Sequence, residues 1–206
     1  PLPYATLHGG SANPEPLRRF LQRCNVPKGQ DILVMAWMMT VMLPEASRVL
    51  MELTGMPRNG KTSLQAVLKC LLDNSAWLLQ KKTPRKVSDV HQLAQDDFLI
   101  SLDQVKALNK DVQSELANIM DGQLIEWPLK RQEYENRLFV RCPVILNSLE
   151  SVVTEPELAE RSVSVELPSL SDANPAFIDQ LQASSDMANA YQGLRDLLVY
   201  VAHDRE

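Results

Sequence analysis

Apolar and polar positions along the chain alternate with two periods, one typical of helices and one of strands. The helical period predicts helices over 17–24, 31–43, 62–73, 87–95 and 110–120, with a helical pattern from 174 to the end. Short apolar runs predict strands over 48–54, 76–79, 98–102 and 143–146, and an alternating stretch predicts a strand over 163–167. A β-hairpin is predicted over 123–140. Because strands alternate with helices, we expect an α/β fold with a mainly parallel central sheet covered by helices on both faces.

The longest apolar run, 32–43, is too short to span a bilayer, and no basic segment of a signal peptide precedes it. We interpret it as a buried helix rather than an interfacial one. The composition, 45% hydrophobic and 23% charged over 206 residues, is ordinary for a globular protein without a membrane partner. The three cysteines are far apart and lack C-x-x-C spacing, which favours a reducing cytoplasm over disulfides or a zinc site: Cys24, Cys70 and Cys142.

Three regions follow from these patterns. Residues 1–29 form a lead-in segment with one helix, 30–170 form the core, and 171–206 form a helical C-terminal segment. The chain begins with Pro1 rather than an initiating methionine, so we expect it to be a fragment of a longer protein.

The stretch GMPRNGKT, residues 55–62, has the G-x-x-x-x-G-K-T spacing of a phosphate-binding P-loop. A glycine turn that caps an ordinary helix is the alternative interpretation. The P-loop is favoured because an apolar strand precedes the stretch and a helix follows it, so unpaired helix N–H groups would face a phosphate. The residues predicted to hold the nucleotide are Gly55, Met56, Pro57, Arg58, Asn59, Gly60, Lys61, Thr62 and Ser63.

Further polar side chains stand where later strands are predicted to begin or end. Asp103 follows an apolar strand and suits a Mg²⁺-binding Walker B aspartate, although a strand-terminal aspartate also starts turns. Asn147 follows the next strand and suits a group that senses the γ-phosphate or positions water; it could equally be a turn residue. Arg161 precedes the last strand, where a ring ATPase would offer an arginine finger to its neighbour and an isolated domain would leave the side chain solvated.

The formal charge of −5 gives no global signature of nucleic-acid binding, so a DNA contact must be local. Two basic stretches qualify. KKTPRK, residues 81–86, is better interpreted as a solvated loop. The second stretch lies in the predicted hairpin and includes Lys130, Arg131 and Arg137.

The motifs GMPRNGKT, FLISLDQ, MDGQLIEWPLKRQEYENRLFVRCPVILNS and LAERSVSVELP, in this order, resemble the P-loop ATPase core of superfamily 3 and related AAA+ helicases. More closely, they resemble ATP-binding proteins of bacterial phages and integrated mobile elements that accompany primases. The resemblance covers roughly residues 30–168. It implies that Lys130 and Arg131, with Arg137 as a weaker candidate, contact DNA in a central channel. Gln104 departs from the family, which usually carries a second acid there.

These observations favour a Mg²⁺-dependent ATPase that forms a ring, expected to be a hexamer, and translocates on single-stranded DNA. By the resemblance, it would serve replication of a phage or mobile element in the cytoplasm of a bacterial or phage-infected cell, with a primase as a possible partner. ATP and Mg²⁺ are the expected cofactors, with Thr62 and Asp103 on the metal and Lys61, Asn147 and Arg161 in the chemistry.

Two alternatives stay open at this point. A small-molecule kinase would use the same P-loop, but it needs an acceptor pocket and an arginine-bearing lid, and neither is identifiable between Asn74 and Asp97. A nucleotide-gated assembly factor with little turnover is the other alternative, and Gln104 makes it plausible.

Overall fold

The computed structural model describes residues 13–73, 82–127, 136–169 and 185–203. The helices are α1 (Glu15–Arg23), α2 (Asp31–Met42), α3 (Lys61–Asp73), α4 (Val87–Asp96), α5 (Lys110–Asp121), α6 (Pro156–Ala159) and α7 (Ser185–His203). The strands are β1 (Leu50–Thr54), β2 (Ile100–Val105), β3 (Gln123–Trp127), β4 (Asn136–Val140), β5 (Val144–Ser148) and β6 (Ser162–Glu166). The strand predicted over 76–79 lies outside the described residues.

The central sheet has the strand order β2-β5-β1-β6, and every neighbouring pair in it is parallel. Strands β3 and β4 form a separate antiparallel pair, which is the two-stranded part of the predicted hairpin. Parallel neighbours need crossover connections, and helices supply them here. The predicted α/β fold with a mainly parallel central sheet is therefore confirmed.

Two apolar clusters cover the two faces of this sheet. Met51 and Leu53 of β1 pack into one cluster with side chains of α1, α2, α3 and α7. Leu50 of the same strand belongs to the other cluster, together with side chains of α4 and α5. Because side chains alternate along a strand, one five-residue strand contributes to both clusters. The sheet is thus held between two layers of helices, and its carboxyl edge is left open for a site.

Helix α2 confirms the buried helix expected from the long apolar run, with Val34, Trp37 and Met38 buried. Its first turn still exposes Ile32 and Leu33. Within the described ranges, no helix is both long enough and apolar enough to cross a membrane. All three cysteines are free thiols.

The boundaries of two strands were predicted wrongly, and the error falls on site residues. Strand β2 begins at Ile100 and continues to Val105, so Asp103 lies inside the strand rather than after it. The pairing of β2 with β5 shifts register between Leu102 and Val105, and Gln104 has a left-handed φ of 56° there. Such an irregularity turns a polar side chain out of the core without ending the strand. Asn147 likewise lies inside β5.

Candidate active site

The stretch 55–60 connects β1 to α3 as a tight loop whose shape depends on its first glycine. Gly55 has φ +132°, and a Cβ there would lie 2.2 Å from Asn59 Nδ2 and 2.6 Å from the Leu167 carbonyl oxygen. No other residue fits without moving backbone. The loop then enters α3 at Lys61, whose helix begins with N–H groups that have no partner within the helix.

The Lys61 side chain is buried and folded over the loop. Its ammonium group donates to the carbonyl oxygens of Gly55 at 2.6 Å and Met56 at 2.9 Å, and to Asn59 Oδ1 at 3.1 Å. Burial lowers the pKa of Lys61, and the nearby Asp103 carboxylate opposes that shift. The positively charged ammonium group of Lys61 is therefore held at the centre of the loop by oxygen acceptors. Phosphate oxygens could take the place of the backbone acceptors.

Hydrogen bonds connect Asp103, on β2, to side chains of α3 and β5. The Thr62 hydroxyl donates to Asp103 Oδ1 at 2.9 Å from the start of α3. The Asn147 side-chain amide donates to the same oxygen at 2.6 Å from β5. The structure thus brings together residues that are distant in the sequence. A hydroxyl and a carboxylate side by side are oxygen donors of the kind Mg²⁺ prefers, so the residues present fit that metal.

Gln65 is a residue of this site that the sequence interpretation missed. Its side chain is fully buried, and Nε2 donates to Ser101 Oγ at 2.8 Å and to the Leu102 carbonyl oxygen at 3.0 Å. Its Oε1 accepts a hydrogen bond from the Asn147 amide. A glutamine within the apolar stretch LQAVL, residues 64–68, was the available signal. Gln65 fixes α3 against β2 and β5, and so fixes Thr62 opposite Asp103.

Asn25, just after α1, is a second residue that was missed. It has a left-handed φ of 69°, and its side-chain amide donates to the carbonyl oxygens of Asn59 at 2.9 Å and Pro168 at 2.8 Å. Asn59 in turn donates from Nδ2 to the Leu167 carbonyl oxygen at 2.8 Å. The lead-in segment and the end of β6 therefore hold the P-loop from behind.

A cavity of about 420 Å³ opens in front of this network. One wall is formed by residues 57–63, which belong to the loop and the start of α3. The opposite wall is formed by residues 104–106, directly after Asp103, and by residues 147–149, at the end of β5. None of these lining residues is acidic. The predicted loop, Thr62 and Asn147 thus come together around one cavity, with Asp103 buried behind its surface.

Arg161 does not line this cavity. Its carbonyl oxygen accepts from the Leu50 N–H at 2.8 Å, at the amino end of β1, whereas the P-loop follows the carboxyl end. Its guanidinium pairs with Asp121, which raises the pKa of Arg161. The structure therefore does not bring Arg161 to the cavity of its own chain, and its action on a neighbour stays a prediction.

The predicted DNA contacts are described only in part. Lys130 and Arg131 lie outside the described residues. Arg137 is exposed on β4 opposite Glu126, with 3.6 Å between Nη2 and Oε1. In the other basic stretch, Lys82, Arg85 and Lys86 are exposed.

Solved structures with the same fold include two of the C-terminal region of NrS-1 in its apo A form. One has a TM-score of 0.60 at 16% identity, covering 96% of this chain and 48% of that one. The other has a TM-score of 0.59 at 15% identity, covering 95% and 47%. A weaker likeness, with a TM-score of 0.46 at 15% identity, covers 93% of this chain and 55% of a JCV helicase structure.

This chain spans about half the length of the NrS-1 chains it matches. No protein-family model matches it, and neither does any curated protein sequence. At 15–16% identity, the likeness to NrS-1 establishes a shared fold.

Proposed function

We propose that this chain is the motor core of a Mg²⁺-dependent ATPase that acts on DNA in the manner of a helicase. One observation carries the proposal: Thr62, Asp103 and Asn147 converge from three elements at the cavity that the Lys61 loop encloses. A phosphate-binding loop opposite a hydroxyl–carboxylate pair is the arrangement that nucleoside triphosphate hydrolysis requires.

Each group has a task that its position supports. Lys61 would exchange the Gly55 and Met56 carbonyl oxygens for β- and γ-phosphate oxygens, and the free N–H groups at the start of α3 would bind the same phosphates. Thr62 and Asp103 would hold Mg²⁺, which neutralises phosphate charge when bound. Asn147 holds Asp103 in place from β5 and would sense the γ-phosphate through it.

The whole motor would be a ring, expected to be a hexamer, with single-stranded DNA in its channel. Arg161 supports this arrangement because it lies away from its own cavity, at the amino edge of the sheet, where it could serve a neighbouring copy. A role beside a primase in replication of a phage or mobile element is the most specific form of the proposal.

A nucleotide-gated assembly factor is the second candidate function. The observation in its favour is the lack of any carboxylate among the residues that line the cavity, since many ATPases use one to activate water. Such a protein would oligomerise when it binds nucleotide and release almost no phosphate.

ATP turnover measured with Mg²⁺, with and without single-stranded DNA, tests the proposal. We expect turnover that DNA stimulates and that nucleoside acceptors leave unchanged. Asp103→Asn should keep most nucleotide binding but lose Mg²⁺-dependent turnover, whereas the exposed Asp111→Asn control should behave like the parental protein. Nucleotide binding without phosphate release would favour the assembly factor, and phosphate transfer to a nucleoside would favour a kinase.

A further inference from the structure

Gln104, the residue after Asp103, brings an unused side-chain amide oxygen to the cavity. Gln104 lines the cavity, and its left-handed backbone, at the register shift of β2, turns its side chain out of the sheet. Its N–H donates to Asn147 Oδ1 at 2.9 Å, which fixes the backbone. Its side-chain Nε2 lies 3.4 Å from Asp103 Oδ2. This places the amide nitrogen toward the proposed metal site and leaves the amide oxygen for another partner.

The side-chain amide of Asn147, on the same wall, already has hydrogen-bond partners. Both hydrogens of the Asn147 side chain are donated, one to Asp103 and one to Gln65, and its oxygen accepts from Gln104. Asn59 is also committed, with its oxygen on Lys61 and its nitrogen on the Leu167 carbonyl. Both side chains are also almost fully buried, each 1% exposed, so they reach less far into the cavity than an exposed side chain does.

Two side chains of the wall opposite the loop keep a free oxygen. In the part of the chain that the structure describes, the Gln104 amide oxygen accepts no hydrogen bond, and the buried Ser148 hydroxyl has no partner. Ser148 is 3% exposed on a short side chain, whereas Gln104 is exposed and reaches further into the cavity. Gln104 is therefore the better placed of the two to meet a water molecule above a γ-phosphate.

We propose that Gln104 orients the attacking water and that no carboxylate among the described residues acts as its general base. This inference rests on the proposed function. The water oxygen bonds to the γ-phosphorus while the bond from that phosphorus to the bridging oxygen breaks. The bridging oxygen keeps the electron pair and leaves with ADP. One water proton stays on the attacking oxygen, and the other passes to another oxygen of the released phosphate. A neutral amide suffices here because it positions the water and accepts no proton.

Binding of ADP alone and of ADP with Mg²⁺ and aluminium fluoride tests the role of Gln104 without relying on turnover. The fluoride complex mimics the transferring phosphoryl group with its in-line water. Gln104→Ala should leave the Kd for ADP within about twofold and weaken the fluoride complex by about tenfold or more, and turnover should fall by about 100-fold. The exposed control Gln92→Ala should keep the parental affinity for the fluoride complex, and Ser148→Ala should weaken that complex less than Gln104→Ala does.

The outcomes separate this inference from the proposed function. Failure of the parental protein to bind ADP would refute the nucleotide site itself. Intact ADP binding with an unchanged fluoride complex in Gln104→Ala would refute only the role of Gln104, as would a loss confined to Ser148→Ala. If the parental protein binds ADP but does not hydrolyse ATP, and Gln104→Glu gains turnover, the amide is not sufficient and the inference is wrong.

Discussion

We expect Lys61 to set the pH dependence of nucleotide binding. Burial lowers the pKa of its ammonium group, so the free protein begins to lose this charge at a lower pH than an exposed lysine would. A bound phosphate favours the charged form and raises the pKa again. Nucleotide binding should therefore take up protons once the pH exceeds the lowered pKa, and affinity should fall as the pH rises further.

We predict that the Kd for ADP increases with pH across the alkaline range in the parental protein and increases much less in Lys61→Arg. Arginine keeps its charge over the whole range, so it removes the titration while retaining a cation. Calorimetry in buffers of different ionisation enthalpy would measure the proton uptake. The same pH dependence in both proteins would assign the titration to another group.

Residues of the site differ in how far sequence could predict them. The stretch 55–62 was found by its local spacing and Asp103 by the apolar run before it, although β2 continues past Asp103. Gln65 and Asn25 act through partners far away in the chain, on β2, β5 and the end of β6. A local pattern carries no information about such partners.

At the scale of elements, α1 and the end of β6 support the P-loop through Asn25. Asn25→Gly should weaken nucleotide binding several-fold, because glycine tolerates the left-handed φ but cannot donate to the Asn59 and Pro168 carbonyl oxygens. Without these two hydrogen bonds the loop would be ordered only when phosphate binds, and this ordering would cost part of the binding free energy. Thermal unfolding of the same variant, compared with Lys28→Ala, separates this effect from a general loss of stability. Parental affinity in Asn25→Gly would show that the loop needs no support from α1.

The hairpin formed by β3 and β4 carries the predicted DNA contact. Removing Lys130 and Arg131 together should weaken single-stranded DNA binding equally across sequences. The slope of log affinity against log salt should fall by about 0.7 for each lost phosphate contact. DNA-independent ATP turnover should survive while its stimulation by DNA is lost. Unchanged affinity and slope would leave the stretch 81–86 as the remaining candidate for the DNA surface.

The elements themselves were largely predictable. Apolar periodicity located α3, α4 and α5, and an uninterrupted apolar run located α2, because each helix buries apolar side chains against the sheet. The end of β2 was not predictable, since the register shift at Asp103 and Gln104 depends on pairing with β5, a strand that follows much later in the chain. Tertiary pairing overrode the local pattern there.

The whole molecule is expected to work as a ring in which Arg161 of one copy serves the cavity of the next. Arg161→Ala should keep nucleotide affinity and reduce turnover by about 10³-fold, since a finger acts mainly in the transition state. Arg19→Ala, an exposed arginine on α1, is the matched control. Its turnover should equal that of the parental protein.

Mixing Arg161→Ala with Lys61→Ala gives the sharper test of action in trans. Some interfaces in mixed rings join an intact Lys61 to an intact Arg161, so part of the activity should return. Each variant alone should stay inactive at the same total concentration. Unchanged turnover in Arg161→Ala would contradict the assignment.

The proposed activity depends on the loop around Lys61 binding the phosphates of a nucleotide with Mg²⁺. Titration of a fluorescent, non-hydrolysable ATP analogue measures this most directly, in the parental protein, in Lys61→Ala and in the exposed control Lys28→Ala. We predict Mg²⁺-dependent binding to the parental protein and to Lys28→Ala, and binding to Lys61→Ala that is weaker by about tenfold or more, because a charge-assisted phosphate contact is lost. Equal affinity in all three proteins, or none in the parental protein, would contradict it.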